Sequence, residues 1–375
     1  HTIRKGVPIA YGSGVASASS LGAPLNAASA TIDLGNQDSV GTLLVTGSAQ
    51  STTRTLNLAG TTGGAVLDQS GSGLVKFLSS VTATGAGAKT LTLQGATSGS
   101  GELAGVVSDN SALNPTSLLK RGSGNWTLSA SNTYTGGTTL LDGNLSLGNA
   151  QALGSGTLTI SGGALLNKTS GPLTMAGTLN QIWTSDFAVG GSFALNMGSG
   201  AVSLASNLSL SVNAPLFEID GPISGNATLT KTGSGNLVLT GASSFTGGVN
   251  VRSGTVSLNG AAAAGSGVVS VAGGALVSVG APSGLSSNGL THRWSFNEIS
   301  GTVLADSVGT TNATIISPSA VQNAFVGNGK VKMNGGGYSN SSYVALPSGL
   351  LTGLTDFTME VWASYDVLQG WSRIF

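Results

Sequence analysis

Short runs in which apolar and polar residues alternate recur along most of the chain. In Asn125–Leu128 and Thr157–Ile160, threonine or asparagine alternates with leucine, isoleucine or tryptophan. A two-residue alternation is the period of a β-strand with one buried side. No apolar stripe at helical spacing lasts three turns, and glycine and β-branched residues are abundant. The pattern predicts an all-β protein.

The strand pattern is part of a long internal repeat. Residues 118–165 align without gaps on residues 229–276 at an offset of 111, with 22 of 48 positions identical. Many of the identities are glycines, which predicts turns at fixed spacing between short strands. The glycines predicted to form structural repeat turns are Gly122, Gly124, Gly136, Gly137, Gly143, Gly154, Gly156, Gly162, Gly163, Gly233, Gly235, Gly247, Gly248, Gly254, Gly265, Gly267, Gly273 and Gly274.

Two all-β architectures can use such strands: an antiparallel sandwich, or a parallel β-helix (solenoid) whose coils stack along an axis. A repeat of 111 residues holds roughly four or five coils of the twenty-odd residues that solenoid units use. A weaker sequence similarity between Arg54–Gly60 and Lys89–Gly95 extends the pattern towards the N-terminus. We therefore expect a β-helix over residues 1–285, with on the order of twelve coils and inward aliphatic ladders.

Composition narrows the function classes. The 14 basic and 14 acidic residues balance, and no run of Lys or Arg provides a footprint for nucleic acid or anionic lipid. The absence of cysteine excludes disulfides, thiolate metal sites and a cysteine nucleophile. No stretch approaches the eighteen or so apolar residues of a membrane-spanning segment. We expect a neutral, polar surface covered by Gly, Ser, Thr and Asn.

The two ends of the chain suggest a fragment. The first residue is His1, and no basic region followed by an apolar core comes after it. The last two residues, Ile374 and Phe375, are apolar and have no turn signal behind them. The expectation is that a leader was removed or that this is an internal piece, and that the parent polypeptide continues.

The first repeat copy carries a family resemblance. The segment Leu118–Thr139, with lead-in segments Gly85–Gly95 and Leu103–Asn110, resembles the autotransporter passenger-associated β-strand repeat. This resemblance implies a right-handed parallel β-helix that acts in adhesion, aggregation or display. It places the protein outside the cell, on a bacterial surface or secreted. In the second copy Leu237 and Phe245 replace Trp126 and Tyr134, which keeps apolar bulk without the polar groups.

A different unit is predicted after a linker at Pro282–Gly289. Residues 1–289 hold 9 aromatic residues, whereas residues 290–375 hold 10. Trp294 and Phe296 alternate with polar neighbours, as do Phe357, Met359 and Val361, which predicts half-buried strands. The segments that carry a resemblance to the laminin-G-like, concanavalin A-like jelly roll are Leu290–Glu298, Leu304–Ser307, Tyr343–Pro347 and Phe357–Ala363.

That second resemblance implies a partial jelly-roll β-sandwich over residues 290–375, because the complete domain needs more chain. It implies carbohydrate or surface proteins as partners of the C-terminal domain, and calcium as an ion of the complete domain. No cofactor is expected otherwise. An incomplete sandwich exposes sheet edges that normally pair with something.

Few residues are candidates for chemistry. Glu218 and Asp220 lie two apart, so they could act as a pair or bind a cation, although solvated outer side chains are the favoured interpretation. His292 is the only internal histidine, so a cluster or triad of histidines or a two-imidazole metal site cannot form. We interpret it as a strand residue beside Trp294. No catalytic or metal-binding residue is predicted.

Two repeated features have structural interpretations. Lys120 and Lys231 recur at matching positions, which we interpret as charges at a stacked outer edge that aid solubility. Trp126 and Tyr134 could stack on a sugar, but an internal aromatic ladder is favoured. Glycine triplets such as Gly122–Gly124 are interpreted as turns, because no helix follows to bind a phosphate.

The favoured function is structural and non-enzymatic: a rigid spacer that displays adhesive or sugar-binding modules on a cell surface. One alternative is a self-assembling subunit of an extracellular fibre or sheath, a homo-oligomer joined through exposed β edges. A second alternative is a β-helix enzyme that degrades polysaccharides.

Overall fold

The computed structural model describes residues 2–3, 30–61, 64–95, 99–279, 292–298, 300–317, 325–327, 330–333 and 341–350. Within these residues every regular element is a β-strand. The first strands are β1 (Thr2–Ile3), β2 (Ile32–Leu34), β3 (Gly41–Val45), β4 (Gln50–Thr52), β5 (Leu56–Leu58), β6 (Ala65–Gln69), β7 (Leu74–Phe77), β8 (Thr82–Ala83), β9 (Lys89–Gly95), β10 (Ser100–Leu103), β11 (Thr116–Lys120) and β12 (Asn125–Leu128).

The middle strands are β13 (Thr138–Leu140), β14 (Asn144–Leu147), β15 (Leu158–Ile160), β16 (Ala164–Asn167), β17 (Leu173–Thr174), β18 (Gln181–Trp183), β19 (Phe187–Gly191), β20 (Leu195–Asn196), β21 (Val202–Leu204), β22 (Leu208–Val212), β23 (Leu216–Ile219) and β24 (Ile223–Gly225). The last strands are β25 (Leu229–Thr232), β26 (Asn236–Leu239), β27 (Val249–Val251), β28 (Thr255–Leu258), β29 (Val269–Val271), β30 (Leu276–Val279), β31 (Val303–Leu304), β32 (Ala313–Ile316), β33 (Phe325–Gly327), β34 (Lys330–Lys332) and β35 (Tyr343–Ala345).

The chain divides into two compact units, residues 1–283 and residues 284–375. The linker predicted at Pro282–Gly289 lies outside the described residues, as do Phe357, Met359, Val361, Ile374 and Phe375.

Unit 1 is a parallel β-solenoid of about eleven windings. Sheet A has ten strands in the order β1-β3-β6-β9-β11-β13-β15-β18-β21-β24, and sheet B has eleven in the order β4-β7-β10-β12-β14-β16-β19-β22-β25-β27-β29. Between a strand of B and the next strand of A lies a third side. It is formed by sheet C (β2-β5-β8) and later by sheet D (β17-β20-β23-β26-β28-β30). The described ladders of this unit run parallel, which rules out an antiparallel sandwich over residues 118–276.

The windings differ in length because turns and loops absorb insertions while strand register is kept. Partners in successive windings are 19 residues apart from Asn125 to Asn144 and 27 residues apart from Leu91 to Leu118. Each winding therefore adds one strand to a sheet whatever the length of its loops.

The internal repeat does not comprise a whole number of windings. Five register steps in sheet A lead from Leu118 to Ile223. Six residues later, Leu229 begins β25 in sheet B. The repeat of 111 residues therefore comprises five windings and one further side. The strands β11 and β12 lie in sheets A and B, whereas their copies β25 and β26 lie in B and D.

The core of unit 1 consists of inward-facing columns along each sheet. In sheet A, one column holds in register order Leu43, Leu67, Leu93, Lys120, Leu140, Ile160, Trp183 and Leu204. All of these residues are buried. The hydrophobic effect acts along the whole stack, because every winding covers the apolar side chains of the previous one.

Unit 2 is antiparallel in its described part. The strands β31, β32 and β35 form one sheet, and β33 pairs with β34. Trp294 and Phe296 pack against a small core of Leu304, Ala313 and Ile315. The strand predicted around Trp294 is reduced to an isolated bridge to Asp306, and Phe296 has a φ of +55°, outside strand geometry. The partial jelly roll stays a prediction.

Candidate functional site

The repeat turns occupy the corners of the solenoid, where the chain passes from one sheet to the next. Positive φ angles between +66° and +154° occur at Gly122, Gly137, Gly143, Gly154, Gly162, Gly163, Gly233, Gly248, Gly254, Gly265 and Gly274. At Gly136, Gly156, Gly235, Gly247 and Gly267, the first contact of an added Cβ would be only 2.0 to 2.4 Å away. Most of the repeated glycines thus have a conformational or a steric reason to lack a side chain.

The same turn recurs around a lysine in both copies. Gly143 and Gly254 lie one winding above their lysines, and a Cβ on either would approach the lysine Nζ to 2.6 and 2.8 Å. We call each group a lysine-capped turn: Lys120, Gly122 and Gly143 in the first copy, and Lys231, Gly233 and Gly254 in the second copy.

Both lysines of the capped turns are buried, with relative exposures of 0%. Lys120 Nζ donates hydrogen bonds to the carbonyl oxygens of Arg121 (3.1 Å), Gly122 (2.7 Å) and Asp142 (2.8 Å). The third of these bonds reaches the next winding, so the ammonium joins two successive turns.

Lys231 repeats this geometry on another side of the solenoid. Its Nζ donates to the carbonyl oxygens of Thr232 (2.8 Å), Gly233 (2.9 Å) and Ser253 (3.1 Å). The interpretation of Lys120 and Lys231 as outer-edge charges is therefore wrong. Their stems occupy inward columns, between Leu93 and Leu140 for Lys120, and the corner carbonyls provide acceptors that let the charge remain inside.

Burial changes the ionisation of these lysines. It lowers the pKa of Lys120 to about 8, and the negative charge of Asp142 opposes part of this shift. Burial likewise lowers the pKa of Lys231 to about 8. A third buried lysine, Lys89, donates to the carbonyl oxygens of Gly60, Thr61 and Ala86, and burial lowers its pKa as well.

The aromatic residues of the first copy are internal, as favoured. Trp126 is 1% exposed and donates from Nε1 to the carbonyl oxygen of Gln94 at 2.8 Å. Tyr134 is fully buried, with its hydroxyl 2.6 Å from Thr138 Oγ1. Leu237 and Phe245, which replace them in the second copy, are also fully buried. A sugar cannot stack on Trp126 or Tyr134.

Glu218 and Asp220 come together on the outer side of sheet D. Asn196 Nδ2, one winding earlier, donates to Glu218 Oε2 and to Asp220 Oδ2, each at 2.9 Å. Thr240 Oγ1, one winding later, donates to Asp220 Oδ1 at 2.9 Å. Burial and the nearby Asp220 raise the pKa of Glu218, while the hydrogen bond from Asn196 opposes this. The pair is half-buried and hydrogen-bonded to both neighbouring windings, whereas the sequence favoured freely solvated side chains.

His292 has a charged neighbour that the sequence did not indicate. Its Nδ1 lies 2.6 Å from Asp306 Oδ2, and its ring stacks on Trp294 with centroids 5.7 Å apart. Asp306 also accepts backbone N–H bonds from Arg293, Val308 and Gly309 at 2.8 to 3.1 Å. Burial alone raises the pKa of Asp306, but these bonds outweigh it and hold the pKa well below the usual value. The group fixes a turn of unit 2.

Two further observations concern metal binding and membrane crossing. In the described part of the chain, no three His, Cys, Asp or Glu side chains gather as a metal site would require. The same part holds no helix with the length and hydrophobicity that a bilayer crossing needs.

The fold and the capped turns together define a class: a parallel β-solenoid that contains two copies of one repeat. The model of the family described as passenger-associated-transport-repeat matches residues 118–147 and 229–258. The matches contain the two lysines and three complete strands of the first copy, β12, β13 and β14, with the last three residues of β11. In the second copy they contain β25, β26, β27 and β28. The resemblance to the autotransporter passenger repeat is thereby confirmed for these segments, and the laminin-G-like resemblance stays a prediction.

Among curated proteins, the chain is similar to the adhesin BmaC autotransporter of Brucella suis biovar 1 (strain 1330). The two are 34% identical over 168 residues, which is 44% of this chain and 5% of that adhesin. No solved structure gives a significant match. The two sequence matches point to the cell surface or to secretion.

Proposed function

We propose that this chain is a non-enzymatic stretch of an adhesin passenger, in which the β-solenoid is a stiff stalk and unit 2 is a module that binds surface partners. The observation that carries the proposal is the lysine-capped turn, repeated with the same three-carbonyl geometry in both copies. Each lysine-capped turn joins one winding to the next through hydrogen bonds. The similarity to a protein named as an adhesin supports the adhesive part.

A stiff stalk requires each winding to be fixed against the next one along the solenoid axis. The 18 repeated turn glycines are proposed as structural positions that let successive corners stack closely. Some charged groups of the solenoid also join neighbouring windings: Glu218 and Asp220 are bridged by Asn196, and Lys120 is enclosed by carbonyls. Polar side chains that hold neighbouring windings together are poorly placed to act on a substrate, which supports a non-enzymatic role.

The binding role is assigned to unit 2, because its described strands expose apolar side chains. Tyr343 is 51% exposed and Val303 is 53% exposed, although both lie on strands of one sheet. Aromatic residues with apolar neighbours are enriched at recognition surfaces. Carbohydrate or surface proteins are the proposed partners.

The test uses the full chain on beads, scored for attachment to cultured host cells. Tyr343→Ser and Val303→Ser are expected to reduce attachment at least fivefold. Leu113→Ser, a change at an apolar side chain of unit 1 that is 91% exposed, is the matched control and should attach like the parent. Equal attachment by all variants, or by beads without protein, contradicts the proposal.

A second candidate is a subunit of an extracellular fibre. The last described strands of sheets B and D, β29 and β30, leave Val271 and Leu276 about half exposed, and Val268 before β29 is 77% exposed. Open strand edges with apolar columns can pair with another chain. Sedimentation and negative-stain microscopy separate the candidates: regular filaments that disappear with Val268→Lys favour the fibre, whereas an elongated monomer favours the stalk.

A further inference from the structure

A cleft opens at a corner between sheets A and B, beside the first capped turn. It has a volume of about 390 Å³ and is lined by Asp68, Ser70, Gln94, Gly95, Arg121 and Gly122. These residues come from the ends of β6 and β9 and from the turns that follow β6 and β11, in three successive windings of sheet A.

A chain of hydrogen bonds fixes the side chains that line this cleft. Ser70 Oγ donates to Asp68 Oδ1 at 2.6 Å, and Gln94 Nε2 donates to Asp68 Oδ2 at 2.6 Å. Arg121 Nε in turn donates to Gln94 Oε1 at 2.7 Å. The carboxylate and the guanidinium are thus held in defined orientations two windings apart, about 10 Å along the stack.

Backbone constraints keep the cleft open. Gly95 has a φ of +148°, and a Cβ on it would lie 2.0 Å from the carbonyl oxygen of Gln69. Gly122 has a φ of +69°. Side chains are therefore disfavoured at two positions that line the cleft.

Arg121 has hydrogen-bond donors that could bind a ligand. Its side chain is exposed, and its two terminal amino groups donate no hydrogen bond to any described residue. A planar guanidinium with two such groups binds a carboxylate through two parallel hydrogen bonds. Asp68 and Ser70 lie at the other end of the cleft, where a carboxylate and a hydroxyl suit sugar hydroxyls.

We infer that this cleft binds a carboxylate-bearing saccharide, with the acid on Arg121 and ring hydroxyls on Asp68 and Ser70. The volume suits one or two sugar rings. The inference deepens the proposed adhesive function and rests on it, because it gives the solenoid itself a ligand. A single open site binds weakly, and many copies on a cell surface raise the overall avidity.

The experiment measures binding of digalacturonic acid, of its dimethyl ester and of 3′-sialyllactose to the full chain by calorimetry and saturation-transfer NMR. The chain is expected to bind at least one acidic probe, and the ester at least tenfold more weakly than the acid. Arg121→Gln should weaken acid binding at least tenfold. Asp68→Asn should weaken both the acid and the ester. Arg252→Gln, the same change at another exposed arginine, should have no effect.

Several results overturn the inference: no binding of either acidic probe, equal binding of acid and ester, or equal losses in Arg121→Gln and Arg252→Gln. Unfolding midpoints of all variants exclude a loss of fold as the cause. The bead assay separates this inference from the proposed function. If Arg121→Gln beads attach normally and no probe binds, the cleft proposal fails while adhesion stands. If the parent beads do not attach but the probe binds at Arg121, adhesion fails while the cleft stands.

Discussion

Gly101 lies directly opposite Trp126 in the neighbouring strands β10 and β12, and a Cβ on Gly101 would lie 2.5 Å from the indole ring. Because β10 contributes no side chain there, the indole extends across it and stacks on Phe77 of β7, with ring centroids 6.4 Å apart. In the second copy Leu237 lies opposite Phe217 instead. At the matching position of the second copy, the bulk is therefore divided differently between the two facing residues.

We therefore expect Gly101→Ala to destabilise unit 1 by about 1–3 kcal/mol, because the core at that site is already full. Trp126→Leu should largely remove the penalty of Gly101→Ala, so the double variant should be more stable than the two single changes predict. Urea unfolding measures this. Gly171→Ala, where a Cβ would meet nothing within 4 Å, is the control, and a penalty of the same size there would contradict the steric explanation.

Gly233 and Gly122 test the turn geometry of the two copies. Their φ angles are +77° and +69°, so alanine costs about 1–2 kcal/mol at either position. At Gly233 the Cβ would also lie 2.4 Å from the carbonyl oxygen of Val212, whereas at Gly122 the first contact is at 3.2 Å. Gly233→Ala should therefore lower the thermal midpoint more than Gly122→Ala. The reverse order would show that strain in the turn is not the controlling term.

The buried lysines predict a pH dependence of stability. The pKa of Lys120 and of Lys231 is about 8 in the folded chain, against 10.5 when exposed. Between these values the unfolded chain binds more protons than the folded chain, so the free energy of unfolding rises with pH. We expect the urea midpoint to increase from pH 8 to about 9.5.

The double variant Lys120→Met, Lys231→Met should lose most of that increase, because it removes two of the titrating groups. Lys89, whose pKa burial also lowers, still contributes in this variant. The control is Lys168→Met, at an exposed lysine of the same unit, which should keep the full increase. An unchanged slope in the double variant would mean that other groups cause it.

Asp306 predicts an acid sensitivity of unit 2. Its carboxylate accepts bonds from Arg293, Val308 and Gly309, and its pKa lies below the usual value. The stability that it contributes is present above the ordinary pKa of an aspartate and is lost as the pH falls below it. Asp306→Asn should cost about 2 kcal/mol or more at neutral pH, because an amide has one acceptor oxygen and adds donors.

The measurement is hydrogen exchange of residues 300–316, which isolates unit 2 from the solenoid. Glu298→Gln is the control within the same unit, since its Oε1 accepts one backbone bond, from Ala305, that an amide oxygen can replace. Protection in Asp306→Asn equal to that of the parent chain would contradict the role assigned to this carboxylate.

The sequence alone determined the all-β class, and it favoured the parallel winding and the burial of Trp126 and Tyr134. These follow from two-residue alternation and from repeated glycines at fixed spacing, which are local properties. A side chain on a strand must face either in or out, and a bulky apolar one is driven inward.

Only the tertiary structure decided which side of the solenoid each copy occupies, and that Lys120 and Lys231 face inward. Winding lengths vary along unit 1, so the repeat length does not reveal the extra side between the copies. From the sequence, a lysine in a strand is interpreted as an exposed charge. Only the folded structure shows that corner carbonyls of the next winding lie within hydrogen-bond distance of its Nζ. Contacts between windings also created the Asp68–Gln94–Arg121 cleft and the pairing of His292 with Asp306, because residues distant in sequence meet only when the chain is folded.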